Sequence, residues 1–219
     1  MLKALIFDFD GLILDTETPE MLAWQEIYRR HGVELSVQTW GSIVGGAGVS
    51  NFEPASHLEA LLGHPLDRES VRQQARQMTD QAILSQPVLP GARNLLESAR
   101  DMDFKLAIAS SSTHTWVEHH LNRLGMVDFF DAILCAEDVT RTKPDPGLYL
   151  AALRALNVNS REAVVFEDSP NGIQAAGAAG IFCVAVPNPL TIQLGVDHAD
   201  LVLASLEQVS LEDLKSYIH

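Results

Sequence analysis

Residues 4–11 read Ala-Leu-Ile-Phe-Asp-Phe-Asp-Gly, an apolar run that ends in two aspartates and a glycine. Short apolar runs without alternation are typical of strands buried on both faces of a parallel sheet. The first run predicts a strand over residues 4–9, and similar runs predict strands at 106–110, 132–136, 163–167 and 182–186, with a weaker one at 201–203. The segments between them carry apolar residues at helical spacing. This alternation predicts an α/β fold with a doubly wound, Rossmann-like parallel sheet.

The interval after the first strand contains far more than one connection. A strand–helix–strand crossover needs about 30 residues, but residues 10–105 separate the first two strands. Pro87, Pro90 and Gly91 mark the end of this interval. We therefore predict a core of residues 1–15 and 87–219 with an inserted helical lobe at 16–86. The spacing predicts helices in that lobe at 21–30, 56–62 and 68–84, with a glycine-rich loop or break at 41–50.

Composition limits the classes of function. The chain has 29 acidic and 15 basic residues, a formal net charge of −14, which opposes nucleic-acid binding because that needs a basic surface. The apolar runs are too short to span a membrane, and the first residues lack a signal-peptide pattern. We expect a cytoplasmic monomer that binds neither nucleic acid nor membrane. Cys135 and Cys183, each within an apolar run, are expected to be buried free thiols.

Two aspartates follow the first predicted strand. Asp8 and Asp10 lie two positions apart, so extended backbone points both the same way, and Gly11 allows a sharp turn after them. Asp10-Gly11 alone is also a common turn sequence. Because two carboxylates so close repel each other unless a proton or cation lies between them, this pair at the end of a strand favours a functional site.

Polar residues also follow the other predicted strands: Ser110, Lys143, Glu167 and Asp168. The carboxyl ends of parallel strands share one edge of the sheet, where ligands bind in such folds. Clustered carboxylates suit a hard divalent cation such as Mg²⁺. Together with a lysine, a hydroxyl and loop N–H groups, they form a set suited to a phosphoryl group. A carboxylate there can attack phosphorus, and a second can transfer the proton.

Four segments in this order resemble the haloacid dehalogenase-like hydrolase superfamily. Residues 8–16, Asp-Phe-Asp-Gly-Leu-Ile-Leu-Asp-Thr, are similar to its first motif, Ser110 to its second, Lys143-Pro144 to its third and Glu167-Asp168 to its fourth. The long insertion resembles the helical cap of the β-phosphoglucomutase-like branch. The resemblance covers essentially the whole chain and implies a phosphoric monoester hydrolase with a Rossmann-like core and a helical cap.

The resemblance also implies roles for individual residues. Asp8 would be the nucleophile and Asp10 the general acid and base. Mg²⁺ would be held by the Asp8 side chain, the Asp10 backbone carbonyl and Asp168, with Glu167 as an occasional or outer ligand.

The remaining implied roles concern phosphate and the cap. Ser110, Ser111 and Lys143 would hold the phosphoryl oxygens, and Thr16 would lie at the cap hinge. Thr142 precedes Lys143 where the family commonly has glycine, which leaves the conformation of that loop open.

Two cap positions bear on the reaction. Relatives that act as sugar-phosphate mutases or on hexose phosphates often have a histidine in the first cap helix, where this chain has Glu20, and an arginine after Gly-x-Ser, where it has Asn51. The sequence therefore favours a phosphatase acting on a small phosphorylated metabolite through an aspartyl-phosphate. A β-phosphoglucomutase-like phosphomutase is the alternative, and a phospho-receiver or a non-catalytic binding module is the alternative from another class.

Some polar and aromatic residues have simpler interpretations. Asp168 alone could be the N-cap of the next helix, and His119 and His120 are expected to be an exposed helical pair. Trp24 and Trp40 are interpreted as cap core.

Overall fold

The computed structural model describes residues 1–44 and 53–217. The chain divides into two compact units, a core unit of Met1–Leu14 with Pro87–His219 and a cap unit of Asp15–Gln86.

A six-stranded parallel sheet forms the centre of the core unit. Its strands are β1 (Ala4–Phe7), β2 (Lys105–Ala109), β3 (Ala132–Leu134), β4 (Ala163–Glu167), β5 (Phe182–Ala185) and β6 (Leu201–Val202). They lie in the order β3-β2-β1-β4-β5-β6, so β1 is central, between β2 and β4. This is the strand order of a doubly wound dinucleotide-binding sheet, in which strands are added first on one side of β1 and then, from β4 onward, on its other side. The predicted fold class is confirmed.

Helices precede or connect strands β2 to β5 of the core unit: α5 (Ala92–Asp101), α6 (His114–Leu124), α7 (Gly147–Leu156) and α8 (Pro170–Ala178). A further helix, α9 (Leu211–Tyr217), follows β6. The strands are apolar on both faces because helices cover both. Every residue of β1 is fully buried, and the Phe7 ring stacks on Phe166 of β4 with 4.9 Å between centroids. Cys135 and Cys183 are buried free thiols, as predicted.

The cap unit consists of helices, with α1 (Glu17–Arg30), α2 (Val37–Val44), α3 (Pro54–Leu62) and α4 (Arg68–Leu84) among its described residues. The Tyr28 hydroxyl joins α1 to α3 by donating to the Pro54 carbonyl at 2.8 Å. Glu53 caps α3 by accepting from the Ala55 and Ser56 backbone N–H groups. Trp24 and Trp40 are both buried.

Several predicted bounds differ from the structure. β1 ends at Phe7 instead of residue 9, so Asp8 and Asp10 lie after the strand. The first cap helix begins four residues early, at Glu17, because acidic residues are favoured in a first helical turn. Residues 41–44, predicted as loop, belong to α2. Their glycine weakens a helix without forbidding one. The rest of the predicted glycine-rich loop lies outside the described residues.

Among the described residues, no helix combines the length and the apolar character needed to cross a membrane.

Candidate active site

The residues predicted to follow the strands of the core unit lie at one edge of the sheet. Three carboxylate oxygens lie within 4.8 Å of one another, one each from Asp8, Glu167 and Asp168. All three side chains are buried, as is that of Lys143. The parallel topology brings them together, because β1 and β4 are neighbours and their carboxyl ends share one edge.

Lys143 lies between two of these carboxylates. Its Nζ donates to Asp8 Oδ1 at 2.5 Å and to Glu167 Oε1 at 2.6 Å. Lys143 is only 9% exposed, so it is not a solvated loop lysine. A buried ammonium needs such partners, since an unpaired buried charge is costly.

The cluster carries more negative than positive charge. Burial raises the pKa of Asp8 to about 8, with the Lys143 cation opposing the rise and the carboxylates of Glu167 and Asp10 adding to it. Burial also disfavours the Lys143 ammonium, yet Asp8 and Glu167 keep the pKa of Lys143 above its usual value. Lys143 pairs with Asp8 and Glu167, whereas Asp168 has an oxygen within 4.8 Å of those two carboxylates and the charge of Asp10 acts on Asp8. The donor set therefore fits a further cation with oxygen ligands.

Glu167 is fully buried and fully hydrogen-bonded. Besides Lys143, its Oε1 accepts from the Tyr149 hydroxyl at 2.6 Å. Its Oε2 accepts from the backbone N–H groups of Asp168 and Ser169 and from the Ser169 hydroxyl. These five hydrogen bonds use the acceptor capacity of the carboxylate.

Asp168 is held by a residue that the sequence did not indicate. Its Oδ2 accepts from Asn188 Nδ2 at 2.9 Å. A Cβ at Gly11 would lie 2.3 Å from that oxygen, and Gly11 has φ +81°. Ser169, instead of Asp168, caps α8, because its hydroxyl accepts from the Gly172 N–H. The N-cap interpretation of Asp168 is therefore wrong.

Asp10 is surrounded by donors from the segment after β2. Its Oδ2 accepts from the Ser112 hydroxyl at 2.7 Å and from the Ser110 hydroxyl at 3.3 Å. Its Oδ1 accepts from the Trp116 indole Nε1 at 2.9 Å. Ser110, predicted to bind phosphate, thus also contacts the predicted acid and base.

The other predicted site residues lie apart from these contacts. Ser111 is exposed at the start of the loop after β2. Thr16 and Glu20 belong to the cap unit, where Thr16 is the N-cap residue of α1 and Glu20 lies in its first turn. Asn51 lies outside the described residues. The roles of these four residues stay predictions.

Sequence reasoning missed four residues that hold the charged groups: Ser112, Trp116, Tyr149 and Asn188. It also placed His120 wrongly. His120 is 3% exposed, because its ring packs between Phe9 and Trp116. For Ser112 and Trp116, the available signal was the concentration of hydrogen-bond donors just after β2, where α6 begins at the functional edge of the sheet.

Tyr149→Phe should lower the free energy of unfolding by about 1–3 kcal/mol, because it removes one hydrogen bond to a buried carboxylate. Phenylalanine keeps the ring beside Lys143, whose Nζ lies 5.1 Å from its centroid. Urea denaturation measures the loss. Tyr217→Phe is the matched control, since Tyr217 is 53% exposed, and it should change stability by less than about 0.5 kcal/mol. Equal effects of the two variants would contradict the role given to Tyr149.

Gly172→Ala should lower the free energy of unfolding by more than Tyr149→Phe does. A Cβ at Gly172, in α8, would lie 1.8 Å from both Cδ and Oε1 of Glu167. The carboxylate cannot move aside without breaking its hydrogen bonds to Lys143 and Tyr149, so we expect a loss of about 3 kcal/mol or more. Thermal and urea denaturation would measure it.

Gly177 provides the control for this substitution in the same helix. A Cβ there meets nothing within 4 Å, so Gly177→Ala should stabilise the protein by about 0.5–1 kcal/mol through helix propensity. Similar stabilities of the two alanine variants would mean that Gly172 does not lie against Glu167 as described.

The chain is similar to known proteins in sequence and in fold. A family model described as haloacid dehalogenase-like hydrolase matches residues 5–186. The chain belongs to the haloacid dehalogenase-like hydrolases. Within that family it is 42% identical over 219 residues to YhcW of Bacillus subtilis strain 168, a protein named as a proposed phosphatase. The match covers 100% of this chain and 99% of that protein.

Two further similarities agree with this family. The chain is 34% identical over 209 residues to validoxylamine A 7'-phosphate phosphatase of Streptomyces hygroscopicus subsp. limoneus, covering 95% of this chain and 96% of that one. Among solved structures it resembles a proposed β-phosphoglucomutase from Thermotoga maritima, with a TM-score of 0.77 and 28% identity, covering 98% of this chain and 99% of that one. Haloacid dehalogenase-like relatives named as phosphatases support a phosphoric monoester hydrolase.

Proposed function

We propose that the chain is a Mg²⁺-dependent phosphatase that hydrolyses a small phosphorylated metabolite through an aspartyl-phosphate on Asp8. The observation that carries the proposal is the buried cluster of Asp8, Glu167 and Asp168, with oxygens within 4.8 Å and the Lys143 ammonium bound between two of them. An excess of buried carboxylates beside one lysine suits a site where a metal ion and a phosphoryl group meet.

The residues that would hold Mg²⁺ are the Asp8 side chain, the Asp10 backbone carbonyl and Asp168. When bound, the ion would neutralise negative charge on the phosphoryl oxygens. Glu167 was predicted as an occasional or outer ligand, and its five hydrogen bonds favour the outer position. We therefore assign Glu167 the role of positioning the Lys143 ammonium through its hydrogen bond.

In the proposed reaction, Asp8 and Asp10 act in two successive steps. In the first, an oxygen of Asp8 attacks phosphorus while the bond from phosphorus to the ester oxygen breaks and Asp10 gives that oxygen a proton. In the second, Asp10 takes a proton from water as the water oxygen attacks phosphorus and the bond to Asp8 breaks. Phosphate leaves, and Asp10 again carries the proton it began with.

The phosphoryl oxygens would be held by Lys143 and by the segment that begins with Ser110 and Ser111. The lysine contributes a positive charge whose position Glu167 determines. Charge stabilisation of this kind is commonly the largest contribution to catalysis.

The substrate class follows from the relatives and from the cap. One relative is named a phosphatase of validoxylamine A 7'-phosphate, which favours a phosphorylated metabolite of comparable kind. Thr16, as the cap hinge, and Glu20 and Asn51, as cap positions on which the choice of substrate depends, remain predictions. Glu20 offers no positive charge to a second phosphate, which favours hydrolysis over mutase chemistry.

Phosphomutase activity is the second candidate, because the solved structure named above is titled a proposed β-phosphoglucomutase. Incubation with a sugar 1-phosphate separates the two. Free phosphate supports the phosphatase, whereas the isomerised sugar phosphate without free phosphate supports the mutase. A phospho-receiver is disfavoured by the family and by the position of Asp8 after the first strand.

The test is a screen of phosphorylated metabolites with Mg²⁺, read out as released inorganic phosphate. We expect hydrolysis of several small phosphate monoesters, with one class of metabolite clearly preferred. No phosphate release from any of them would contradict the proposal.

A further inference from the structure

We infer that Trp116 and Ser112 are positioning residues that aim the Asp10 carboxylate for proton transfer. The inference rests on the proposed function, because it assigns Asp10 the role of general acid and base. It adds residues that no part of that mechanism uses. The contacts that carry it are the Trp116 Nε1 donation to Oδ1 at 2.9 Å and the Ser112 hydroxyl donation to Oδ2 at 2.7 Å.

The two oxygens of Asp10 are not equivalent in this setting. A carboxylate offers about four acceptor positions, two on each oxygen. Ser110 and Ser112 occupy those of Oδ2, and Trp116 occupies one of Oδ1. Among the described residues, these donors leave one acceptor position, which is on Oδ1. The oxygen that carries the transferred proton is therefore Oδ1, and the indole N–H determines its direction.

The indole is itself held in place. Trp116 lies in the first turn of α6, where its backbone N–H donates to the Thr113 hydroxyl at 3.3 Å. Its ring packs edge-on against His120, one helical turn later, with 4.4 Å between centroids. His120 in turn lies over Phe9, with centroids 6.5 Å apart. Phe9 is the residue between Asp8 and Asp10, so packing fixes the indole relative to the same segment that it hydrogen-bonds.

The inference predicts a dependence on the leaving group. An alkyl phosphate needs its leaving oxygen protonated, whereas p-nitrophenolate leaves without a proton. If the Asp10 carboxylate is wrongly oriented, the first step should therefore become slower for an alkyl ester and keep its rate for the aryl ester. A merely structural role would lower both alike.

Trp116→Phe should lower kcat/KM for the best alkyl phosphate of the screen by about tenfold, the scale of one hydrogen bond to a charged group, and kcat/KM for p-nitrophenyl phosphate by less than about twofold. Ser112→Ala should show the same split, and Ser112→Thr, which keeps the hydroxyl, should restore activity. In an Asp10→Asn background, Trp116→Phe should cause no further loss. Equal losses on both esters, or a full additional loss in that background, would overturn the inference.

Trp40→Phe is the control for the tryptophan substitution. Trp40 lies in the cap unit, and its indole N–H has no hydrogen-bond partner among the described residues. Replacing it removes the same group without touching Asp10, so it should lower kcat/KM for both esters alike or not at all. A leaving-group split in Trp40→Phe as large as that in Trp116→Phe would also overturn the inference.

A spectroscopic readout is independent of activity. The chain has three tryptophans, so a ¹⁵N–¹H spectrum contains three indole signals, and Trp116→Phe identifies one of them. Asp10→Asn should shift that signal because it replaces the charged acceptor, and it should leave the signals of Trp24 and Trp40 in place. An unmoved Trp116 signal would contradict the hydrogen bond and hence the inference.

The two proposals fail in different ways. If the wild-type protein hydrolyses no phosphate ester, the proposed function fails, while the indole signal still tests the contact. If the wild-type protein is active but Trp116→Phe slows both esters equally, only the positioning role fails.

Discussion

Asp8→Asn should reduce phosphate release by at least about 10³-fold, since loss of a nucleophile in a concerted catalytic group has effects of this order or larger. The amide cannot attack phosphorus, although its oxygen can still accept from Lys143. The fold should persist, because the substitution removes one negative charge from a cluster in which burial and the neighbouring carboxylates already raise the pKa of Asp8. We expect a thermal midpoint equal to or above that of the wild-type protein.

Asp101→Asn is the matched control for this substitution. Asp101 is exposed at the end of α5, just before β2 begins and thus at the opposite edge of the sheet from the cluster. It should leave phosphate release and stability unchanged. Wild-type turnover by an intact Asp8→Asn protein would refute the covalent mechanism. Loss of turnover together with loss of folding would refute the prediction that the fold persists.

Removal of metal should have the second large effect. EDTA should bring phosphate release to background, and excess Mg²⁺ should restore it, because the carboxylates of the cluster exceed the charge that Lys143 can neutralise. Ca²⁺ should restore it poorly, since it prefers more ligands and longer distances than Mg²⁺. Phosphate release before and after dialysis against EDTA is the measurement.

The residues involved can be tested by binding as well as by activity. Mg²⁺ should raise the thermal midpoint of the wild-type protein, because a ligand that binds only the folded state stabilises it. The rise should be smaller for Asp168→Asn and unchanged for Tyr217→Phe. Full activity in EDTA, or an undiminished rise in Asp168→Asn, would contradict the metal site proposed here.

Local pattern was sufficient for most of the fold. Each of the six apolar runs is a strand. The reason is clearest for β1 and β4, which are buried throughout and must be apolar on both faces, whereas β3 and β6 at the two ends of the strand order are less buried. The end of α6 has an equally local signal, because a glycine after an apolar helical pattern commonly ends a helix, and Gly125 adopts φ +62° there. The starts of helices were harder to predict. α1 begins at Glu17, and its first turn contains two glutamates and so lacks the apolar periodicity that marks the rest of the helix.

The candidate site was predictable to the extent that topology determines it. Parallel strands place their carboxyl ends together, so Asp8, Lys143, Glu167 and Asp168 could be assigned to one edge from their positions in the sequence. Which of them pair could not be assigned. Lys143 contacts Asp8 and Glu167 while Asn188 contacts Asp168, and such choices depend on side-chain directions in three dimensions.

By itself, the sequence determined the strands, their alternation with helices, the long insertion and the list of charged residues at the ends of strands, because each depends on spacing along the chain. Only the tertiary structure decided what holds those charges in place. Trp116 and Ser112 lie more than a hundred positions from Asp10, and Tyr149 on helix α7 donates to Glu167 at the end of strand β4. A hydrogen bond requires its two atoms within about 3 Å, a condition that packing meets and that no local pattern encodes.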